Sequence, residues 1–277
     1  MIIGVDIGGT TIKAALIQDR CIRKLAEYPT STESRQHFLE TLYKSIHDVS
    51  EKPVKAIGVG CPGPGDYRNG VILRPPNLPL HNFNLKKAIE QEFHIPTIIA
   101  NDANCFTLAQ TQVINDSCIV GVTLGTGFGI GIVINGVIHS GRASASEISQ
   151  LPWRSSVLRT QVTEDVISAG GLLRIARRNG LKCTTAKHVY LEARKNNKKA
   201  LSTFVSFGQE LGKILSIPHA LLDADTFVLG GDISGAWKYF APALKKGMSD
   251  HSPFRLPRIV KSSVKHAGII GASMLVE

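Results

Sequence analysis

Asp6-Ile7-Gly8-Gly9-Thr10-Thr11 separates two apolar runs, residues 1–5 and Ile12 to Ile17, the second interrupted only by Lys13. An apolar run, a glycine turn and a second apolar run read as strand, turn, strand. The same arrangement recurs at Gly125-Thr126-Gly127, between Cys118 to Leu124 and Ile130 to Ile134. Val137-Ile138 then follows Asn135-Gly136, a dipeptide that marks a tight hairpin when it stands between apolar runs. Two glycine-turned hairpins, one opening each half, predict a duplicated α/β chain with a cleft between the halves.

Outward from the first hairpin, Phe38, Leu39, Leu42, Ile46 and Val49 recur at spacings of three and four. That period predicts an amphipathic helix over Glu33 to Val49, stopped by Ser50 to Pro53. Val54 to Val59 reads as a strand ending in Gly60-Cys61-Pro62-Gly63-Pro64-Gly65, a loop restricted at its prolines and free at its glycines. A second loop, Pro75-Pro76-Asn77, precedes a helix over Leu85 to Phe93 and a strand over Thr97 to Ala100. That strand runs into Asn101-Asp102-Ala103-Asn104 at the start of another helix. The order over this half is β, β, α, β, loop, α, β, α. Beyond the second hairpin, helices are expected at Glu164 to Asn179, Ala186 to Lys195 and Ala200 to Leu222. One more strand, Thr226 to Leu229, closes in Gly230-Gly231-Asp232. The elements divide into an N-terminal domain, residues 1–115, on which a C-terminal helix at 266–277 packs back, and a C-terminal domain, residues 116–265.

The chain has 277 residues, 43% hydrophobic, 19% charged and 6% aromatic, which is enough apolar material for a core and excludes a disordered or low-complexity chain. Its five cysteines, at 21, 61, 105, 118 and 183, are scattered, with no Cys-x-x-Cys and no zinc-finger spacing. They read as reduced thiols in or near the core of a cytosolic protein. The start, Met-Ile-Ile-Gly-Val-Asp, has no basic leader segment, and no window reaches the ~18 uncharged apolar residues that cross a membrane. A soluble, unprocessed, cytoplasmic protein is expected. The 32 Lys and Arg against 22 Asp and Glu leave a formal charge of +10. The densest groups, Arg174/Arg177/Arg178 and Lys195/Lys198/Lys199, fall in expected helices and loops and read as solvated faces. Neither a nucleic acid nor a membrane is expected as a partner.

Asp6 ends a buried strand directly before Gly8-Gly9-Thr10, so a carboxylate and several backbone N–H groups project from one strand end. That set suits magnesium and phosphate oxygens, with Thr10 or Thr11 and Lys13 as side-chain donors. It equally suits a hairpin turn that needs glycines for positive φ. Gly125-Thr126-Gly127 is not a dinucleotide fingerprint, because a strand follows it and not a helix. At Gly230-Gly231 a purine ring has room against bare backbone, and a close-packed strand-to-helix corner explains the same glycines. Asn101-Asp102 puts an amide and an acid at the carboxyl end of a strand, where α/β sheets bind ligands. An acid there serves to deprotonate a hydroxyl that attacks a phosphoryl group, or to cap the helix that follows. Glu147 and Glu164, each among apolar neighbours, read singly as surface or capping acids.

In order along the chain, Asp6-Ile7-Gly8-Gly9-Thr10, Gly60-Cys61-Pro62-Gly63-Pro64, Pro76-Asn77-Leu78, Asn101-Asp102-Ala103-Asn104, Leu124-Gly125-Thr126-Gly127, Ser146-Glu147-Ile148-Ser149 and Val228-Leu229-Gly230-Gly231 resemble the motifs of the ROK family of sugar kinases. The resemblance runs from Met1 to the closing Ala267-Gly268-Ile269-Ile270-Gly271-Ala272. It implies an actin-like, ribonuclease-H-like two-domain α/β fold, a hexose substrate, and ATP with Mg²⁺ as cofactors, sugar and ATP meeting in the interdomain cleft. It implies that Asp102 is the catalytic base, taking the proton of the sugar 6-hydroxyl as that oxygen attacks the γ-phosphoryl group. Gly63, Asn77, Asn101, Glu147 and Glu164 correspond to residues that hold sugar hydroxyls. Gly8, Gly9, Thr10, Thr11 and Lys13 correspond to one phosphate loop, and Gly125, Thr126 and Gly127 to the other. Asp6 would meet Mg²⁺ through water or phosphate, and Gly230 and Gly231 would border adenosine. A homodimer is also implied.

The chain departs from the family pattern at three points. Where the family has Gly-Glu-Ile-Gly-His, this chain has Ser146-Glu147-Ile148-Ser149-Gln150, so Gln150 replaces a histidine shared by sugar and zinc and is expected to hydrogen-bond a sugar hydroxyl. The cysteine-rich zinc segment is replaced by Leu151-Pro152-Trp153-Arg154-Ser155-Ser156, with neither Cys nor His between 140 and 182, so no structural zinc is expected. No helix-turn-helix precedes the first strand, against the DNA-binding repressor branch. Glucose is the first acceptor expected, with N-acetylglucosamine or N-acetylmannosamine as alternatives. Two further readings stand beside these: polyphosphate as donor to a +10 chain, and a sugar sensor that binds without turnover.

Overall fold

The computed structural model describes every residue except Lys52, Pro76 and Pro253. Pro76, part of the expected loop and of the Pro76-Asn77-Leu78 motif, therefore lies outside the described residues. The chain runs β1 (Ile2–Ile7), β2 (Thr11–Gln18), β3 (Cys21–Pro29), α1 (Arg35–Val49), β4 (Ala56–Cys61), β5 (Gly65–Asp66), β6 (Val71–Ile72), β7 (Phe83–Asn84), α2 (Leu85–Phe93), β8 (Thr97–Asn101) and α3 (Asp102–Gln110). It continues with β9 (Cys118–Leu124), β10 (Phe128–Ile134), β11 (Val137–Ile138), α4 (Ala169–Arg178), α5 (Ala186–Arg194), α6 (Lys198–Leu222), β12 (Thr226–Gly230), α7 (Trp237–Ser249), β13 (Arg258–Lys261) and α8 (Ala267–Met274).

Two five-stranded sheets repeat one plan, β3-β2-β1-β4-β8 and β11-β10-β9-β12-β13. In the first, β1, β2 and β3 form an antiparallel meander and β4 and β8 add parallel strands. In the second, β12 pairs parallel to both β9 and β13. The duplicated α/β fold read from the two hairpins is thus present. The strands in the middle are apolar almost throughout, as parallel strands covered on both faces must be: all five residues of β12 and five of the six in β4 are buried. At the Asn135-Gly136 hairpin both residues take positive φ, 51° and 79°, as the dipeptide predicts.

Several elements escaped the sequence reading, for identifiable reasons. β3 is an edge strand whose Arg23, Lys24 and Glu27 are exposed, so it lacks an apolar face. Cys21, expected in or near the core, is likewise exposed on it. β5, β6 and β7, two residues each, form a small third sheet too short to carry a period. α7 contains Pro242, which disguises a helix, and β13 has only four residues. α4 begins at Ala169 and not at Glu164, because the Ser168 hydroxyl accepts the Gly171 N–H at 3.1 Å and starts the helix there. Glu164 lies instead in a short 3₁₀ turn, Thr163–Asp165. The glycines at 8, 9, 125 and 127 do not take positive φ, so left-handed backbone is not why they are glycines.

Two compact units emerge: Met1–Asn115 with Gly131–Glu147 and Ser263–Glu277, and Asp116–Ile130 with Ile148–Ser262. In the first, α1 lays Phe38, Leu42, Ile46 and Val49 on the sheet residues Ile3, Val5, Ile12 and Leu16, all of them buried. Its last helix, α8, packs on β1, β4 and α3. In the second, α4, α5 and α7 pack on the long α6, with Phe207 of α6 edge-on to Phe240 of α7 at 5.8 Å. Among the described residues no helix is long and apolar enough to cross a membrane.

Candidate active site

In the first unit β8 lies parallel to β4 with Asn101 opposite Cys61, so both chains leave the sheet at one end. Asn101 is the cap of α3: its side-chain oxygen accepts the N–H groups of Ala103 at 2.9 Å and Asn104 at 3.2 Å. Its amide nitrogen donates to the Tyr67 hydroxyl at 3.3 Å. The cap is supplied by Asn101, and the Asp102 carboxylate accepts the Ala103 N–H at 2.9 Å as well as its own backbone N–H. Burial pushes the Asp102 carboxyl from its ordinary 3.8 up to about 7, the Asp6 and Glu147 carboxylates add to the rise, and the Ala103 N–H opposes it. Of the two residues able to cap α3, Asn101 is the one that caps it through both N–H groups, and Asp102 is left as a buried carboxyl with a raised pKa.

Glu147 stands beside the Gly60–Gly65 loop. A methyl group added at Gly63 would fall 2.5 Å from Glu147 Oε1 and 2.7 Å from the Tyr67 hydroxyl, so any side chain there would displace one or both of these groups. Asn77 flanks the first hairpin, 3.5 Å from where a side chain on Gly9 would begin. Gly63, Asn101, Asp102 and Glu147 therefore gather within one unit, with Asn77 at the hairpin.

On that hairpin Asp6 pairs with Lys13 across β1 and β2. Burial raises the Asp6 pKa and Lys13 lowers it in part, for the Lys13 ammonium also faces Glu27 of β3 at 3.8 Å. Gly268, in the first turn of α8, backs the carboxylate so closely that a methyl there would meet Asp6 Oδ2 at 2.4 Å. The turn itself is pinned by Gly8 N–H to Thr11 O at 2.9 Å and by Thr30, whose N–H reaches Thr10 O at 2.9 Å and whose hydroxyl reaches Gly8 O at 2.7 Å. Gly9 and Thr10 remain exposed at its tip, and Thr11 half-buried. A desolvated carboxylate beside open backbone donors suits a divalent cation and the phosphate oxygens that accompany it.

In the second unit Gly125 N–H bonds Gly127 O at 3.0 Å, and Gly125 O accepts the N–H of Ala169, the first residue of α4, at 2.9 Å. The turn Gly125-Thr126-Gly127 thus abuts a helix N-terminus. A methyl added at Gly125 meets nothing within 4 Å, whereas one at Gly127 would stand 3.0 Å from Glu164 Oε2. That carboxylate accepts the Phe128 N–H at 3.2 Å and so braces the turn. Gly230 pairs with Thr123 across the sheet, and Gly231, with φ of 80°, would place a methyl 2.4 Å from Leu124 O. The close-packed corner read as one alternative for Gly231 is therefore present, and it holds the glycine pair against the turn. Gln150 is exposed at the end of a 3₁₀ turn, its amide donating to the Ser149 hydroxyl at 3.4 Å. The residues expected at the sugar divide accordingly, Gly63, Asn77, Asn101 and Glu147 in the first unit, Gln150 and Glu164 in the second.

Two residues went unnoticed in the sequence. Tyr67 donates to Cys61 O at 3.0 Å and receives Asn101, tying β4 to the cap of α3. Burial holds its phenol well above the ordinary value. The only signal was an aromatic residue just past a Pro-Gly loop. Glu210, 1% exposed in α6, accepts Trp153 Nε1 at 3.1 Å, Ser156 N–H at 3.3 Å, the Ser156 hydroxyl at 2.5 Å and Lys213 Nζ at 3.0 Å. Burial pushes its carboxyl up, but the bonds from Ser156, Trp153, Ser155 and Lys213 outweigh that and hold it below the ordinary range. It looked like one more helix acid because, Lys213 apart, its partners Trp153 and Ser156 lie more than fifty positions upstream. They belong to the stretch that stands in place of the family's zinc segment. Among the described residues no group of three or more His, Cys, Asp or Glu is placed to hold a metal ion.

Known proteins resemble the chain over its whole length. A glucokinase of Halalkalibacterium halodurans is 29% identical, covering 99% of this chain and 94% of that one. An N-acetylmannosamine kinase of Escherichia coli is 28% identical over 99% of this chain and 98% of its own. The crystal structure of a ROK family glucokinase from Streptomyces griseus, in complex with glucose and AMPPNP, superposes with a TM-score of 0.86 at 24% identity, covering 99% of this chain and 98% of that one. The fold is therefore the actin-like fold of these kinases. The model of the ROK family matches residues 2–277, and with the repeated sheets and ordered motifs this establishes that the chain belongs to the ROK family.

Proposed function

We propose that this chain is a sugar kinase that transfers the γ-phosphoryl group of ATP to the 6-hydroxyl of a hexose, glucose first among its acceptors. N-acetylglucosamine and N-acetylmannosamine are the alternatives, and the kinship to both glucokinases and an N-acetylmannosamine kinase supports keeping them. One observation carries the reading: Asp102, whose carboxyl burial tunes to about 7, stands beside Glu147, Gly63 and Asn101. A pKa near the working pH is what a general base needs.

Asp102 accepts the proton of the 6-hydroxyl as that oxygen bonds to the γ-phosphorus, while the bond from phosphorus to the β-bridging oxygen breaks and ADP leaves. Glu147, Asn77 and the backbone at Gly63 hold the sugar, and Asn101, fixed by its cap and by Tyr67, sets where Asp102 points. Gly8 to Thr11 with Lys13, and Gly125 to Gly127, supply phosphate donors, and Gly230 and Gly231 border the adenosine. Asp6, with Thr10 or Thr11, would hold Mg²⁺, which supplies charge stabilisation on the phosphates when bound. Because phosphoryl transfer asks mainly for positioning and charge stabilisation, one base and two donor loops suffice. The enzyme is assigned to the cytoplasm, and a homodimer is the assembly to look for by light scattering.

The test is ADP release from ATP and Mg²⁺ with glucose, mannose, fructose, N-acetylglucosamine and N-acetylmannosamine, each against a blank without sugar. Release that depends on one of them names the acceptor. Silence with all five, from folded protein, overturns the reading with ATP as donor; polyphosphate then decides between another donor and a sensor that only binds.

A further inference from the structure

Ser146 combines two unfavourable features beside the sugar-side residues. Its φ is 78°, in the left-handed region that a serine seldom adopts and a glycine enters freely. Its hydroxyl oxygen is buried and meets no hydrogen-bonding partner among the described residues. A buried hydroxyl without a partner is destabilising, and strain of this kind gathers at functional sites. Glycine, which the family motif has at this position, would remove both costs.

The neighbours of Ser146 in the chain both engage the sugar-side loop. Ser144 clamps the Gly60–Gly65 loop twice, donating to Gly65 O at 2.7 Å and accepting Gly65 N–H at 3.1 Å. Glu147 presses on the same loop at Gly63. The left-handed residue lies between these two, at the point where the chain turns from holding the loop to presenting the carboxylate. A carboxylate only accepts hydrogen bonds, whereas a hydroxyl both donates and accepts. Side by side they match a polyhydroxylated ligand, whose hydroxyl gives its proton to Glu147 while its oxygen receives the Ser146 O–H.

We propose that the Ser146 hydroxyl is a substrate contact of this kinase, hydrogen-bonding the sugar that Glu147 holds and setting affinity for the acceptor. The inference rests on the hexose-kinase reading above. Two variants isolate it. Ser146→Ala removes the hydroxyl and keeps the strain; Ser146→Gly removes both. With the acceptor that supports turnover in the wild type, each should raise the sugar KM about three- to tenfold, the worth of one neutral hydrogen bond, with kcat within about twofold. Ser146→Gly should also melt no lower than wild type, and up to ~2 °C higher. A purely structural serine would not give weaker sugar binding together with an equal or better Tm. A wild-type KM in both variants overturns the assignment while leaving the kinase intact, as does a raised KM that goes with a fallen Tm in the glycine variant. A wild type that turns over none of the sugars overturns the kinase reading, and this inference with it.

Discussion

Laid over each other, Gly4-Val5-Asp6-Ile7-Gly8 of β1 and Gly121-Val122-Thr123-Leu124-Gly125 of β9 share their glycines and aliphatic positions and part at Asp6 against Thr123. Thr123 is neutral, and its hydroxyl bonds Gly129 O at 3.3 Å within its own hairpin. Asp6 is a carboxylate that burial pushes toward its protonated form and that Lys13 only partly relieves. The turns differ as well: a methyl at Gly8 would press Thr11 O at 3.1 Å, while one at Gly125 meets nothing within 4 Å. One duplicated frame has thus been charged on one side and left neutral on the other. On the kinase reading proposed above, the charged copy would need a cation before phosphate could approach it, and the neutral copy would offer phosphate backbone donors alone.

The same asymmetry recurs at the ends of the outer parallel strands. β8 runs into Asn101-Asp102, and its counterpart β13 runs into Ser262-Ser263. Asp102→Asn makes the two ends alike and should have the largest effect, lowering turnover by ~10²–10⁴-fold, as loss of a general base does, while sugar affinity stays within a few-fold. Turnover near the wild-type rate would remove Asp102 from the chemistry. In the wild type only ionised Asp102 takes a proton, so kcat/KM should climb as pH rises through about 7. Stability moves the other way. The folded-state pKa of about 7 lies above the ordinary 3.8, so the folded protein keeps a proton that the unfolded chain has lost. Stability from this group is full below pH ~4 and declines as pH rises to about 7, by roughly 1.4 kcal/mol per pH unit at most. In thermal melts Asp102→Asn should therefore gain on the wild type from pH 5 to pH 8. A constant gap between the two would contradict the assigned burial.

Alanine in the two turns tests the second half of the comparison. Gly125→Ala should leave Tm within ~1 °C of wild type, because φ is not left-handed there and the methyl meets open space, yet raise the KM for ATP about tenfold by intruding on a phosphate. Gly8→Ala should raise the same KM and also lower Tm, since its methyl has Thr11 O to push against. Equal KM for ATP in Gly125→Ala and wild type would take that turn out of nucleotide binding.

What could be read from the sequence follows from how local each signal was. The hairpins, α1, α2 and β9 carry their apolar periods within a few residues, and Leu85–Phe93 and Cys118–Leu124 fall where the periods place them. The edge strand β3 and the two-residue strands are held by pairing with distant segments, and nothing within them announces it. The site divides in the same way. Asp102 and Asp6 each stand where an apolar run ends within a motif, so strand position and resemblance both pointed to them. That Glu164 would brace Phe128, or that Tyr67 would join Cys61 to Asn101, depends on partners that only folding brings near.

Glu210 is the least legible of these and gives the smallest expected effect on turnover. In the first unit the loop beside Asp102 is held by neutral bonds from Tyr67 and Ser144. In the second, one buried carboxylate gathers Trp153, Ser156 and Lys213. Glu210→Gln keeps the size and part of the hydrogen bonding but leaves Lys213 without its ion-pair partner, at a cost of about 1–3 kcal/mol, read as a fall in Tm of several degrees. The segment it ties down carries Gln150 at one end and Glu164 at the other, the latter on the Gly125–Gly127 turn. The KM for ATP should therefore rise two- to threefold, with kcat little changed. A chelator in excess should leave the Tm of the sugar-free, nucleotide-free wild type where it was, since this clamp is made of hydrogen bonds and one ion pair. If the chelator lowers Tm as far as Glu210→Gln does, the segment is held by a metal, and the carboxylate is not its anchor.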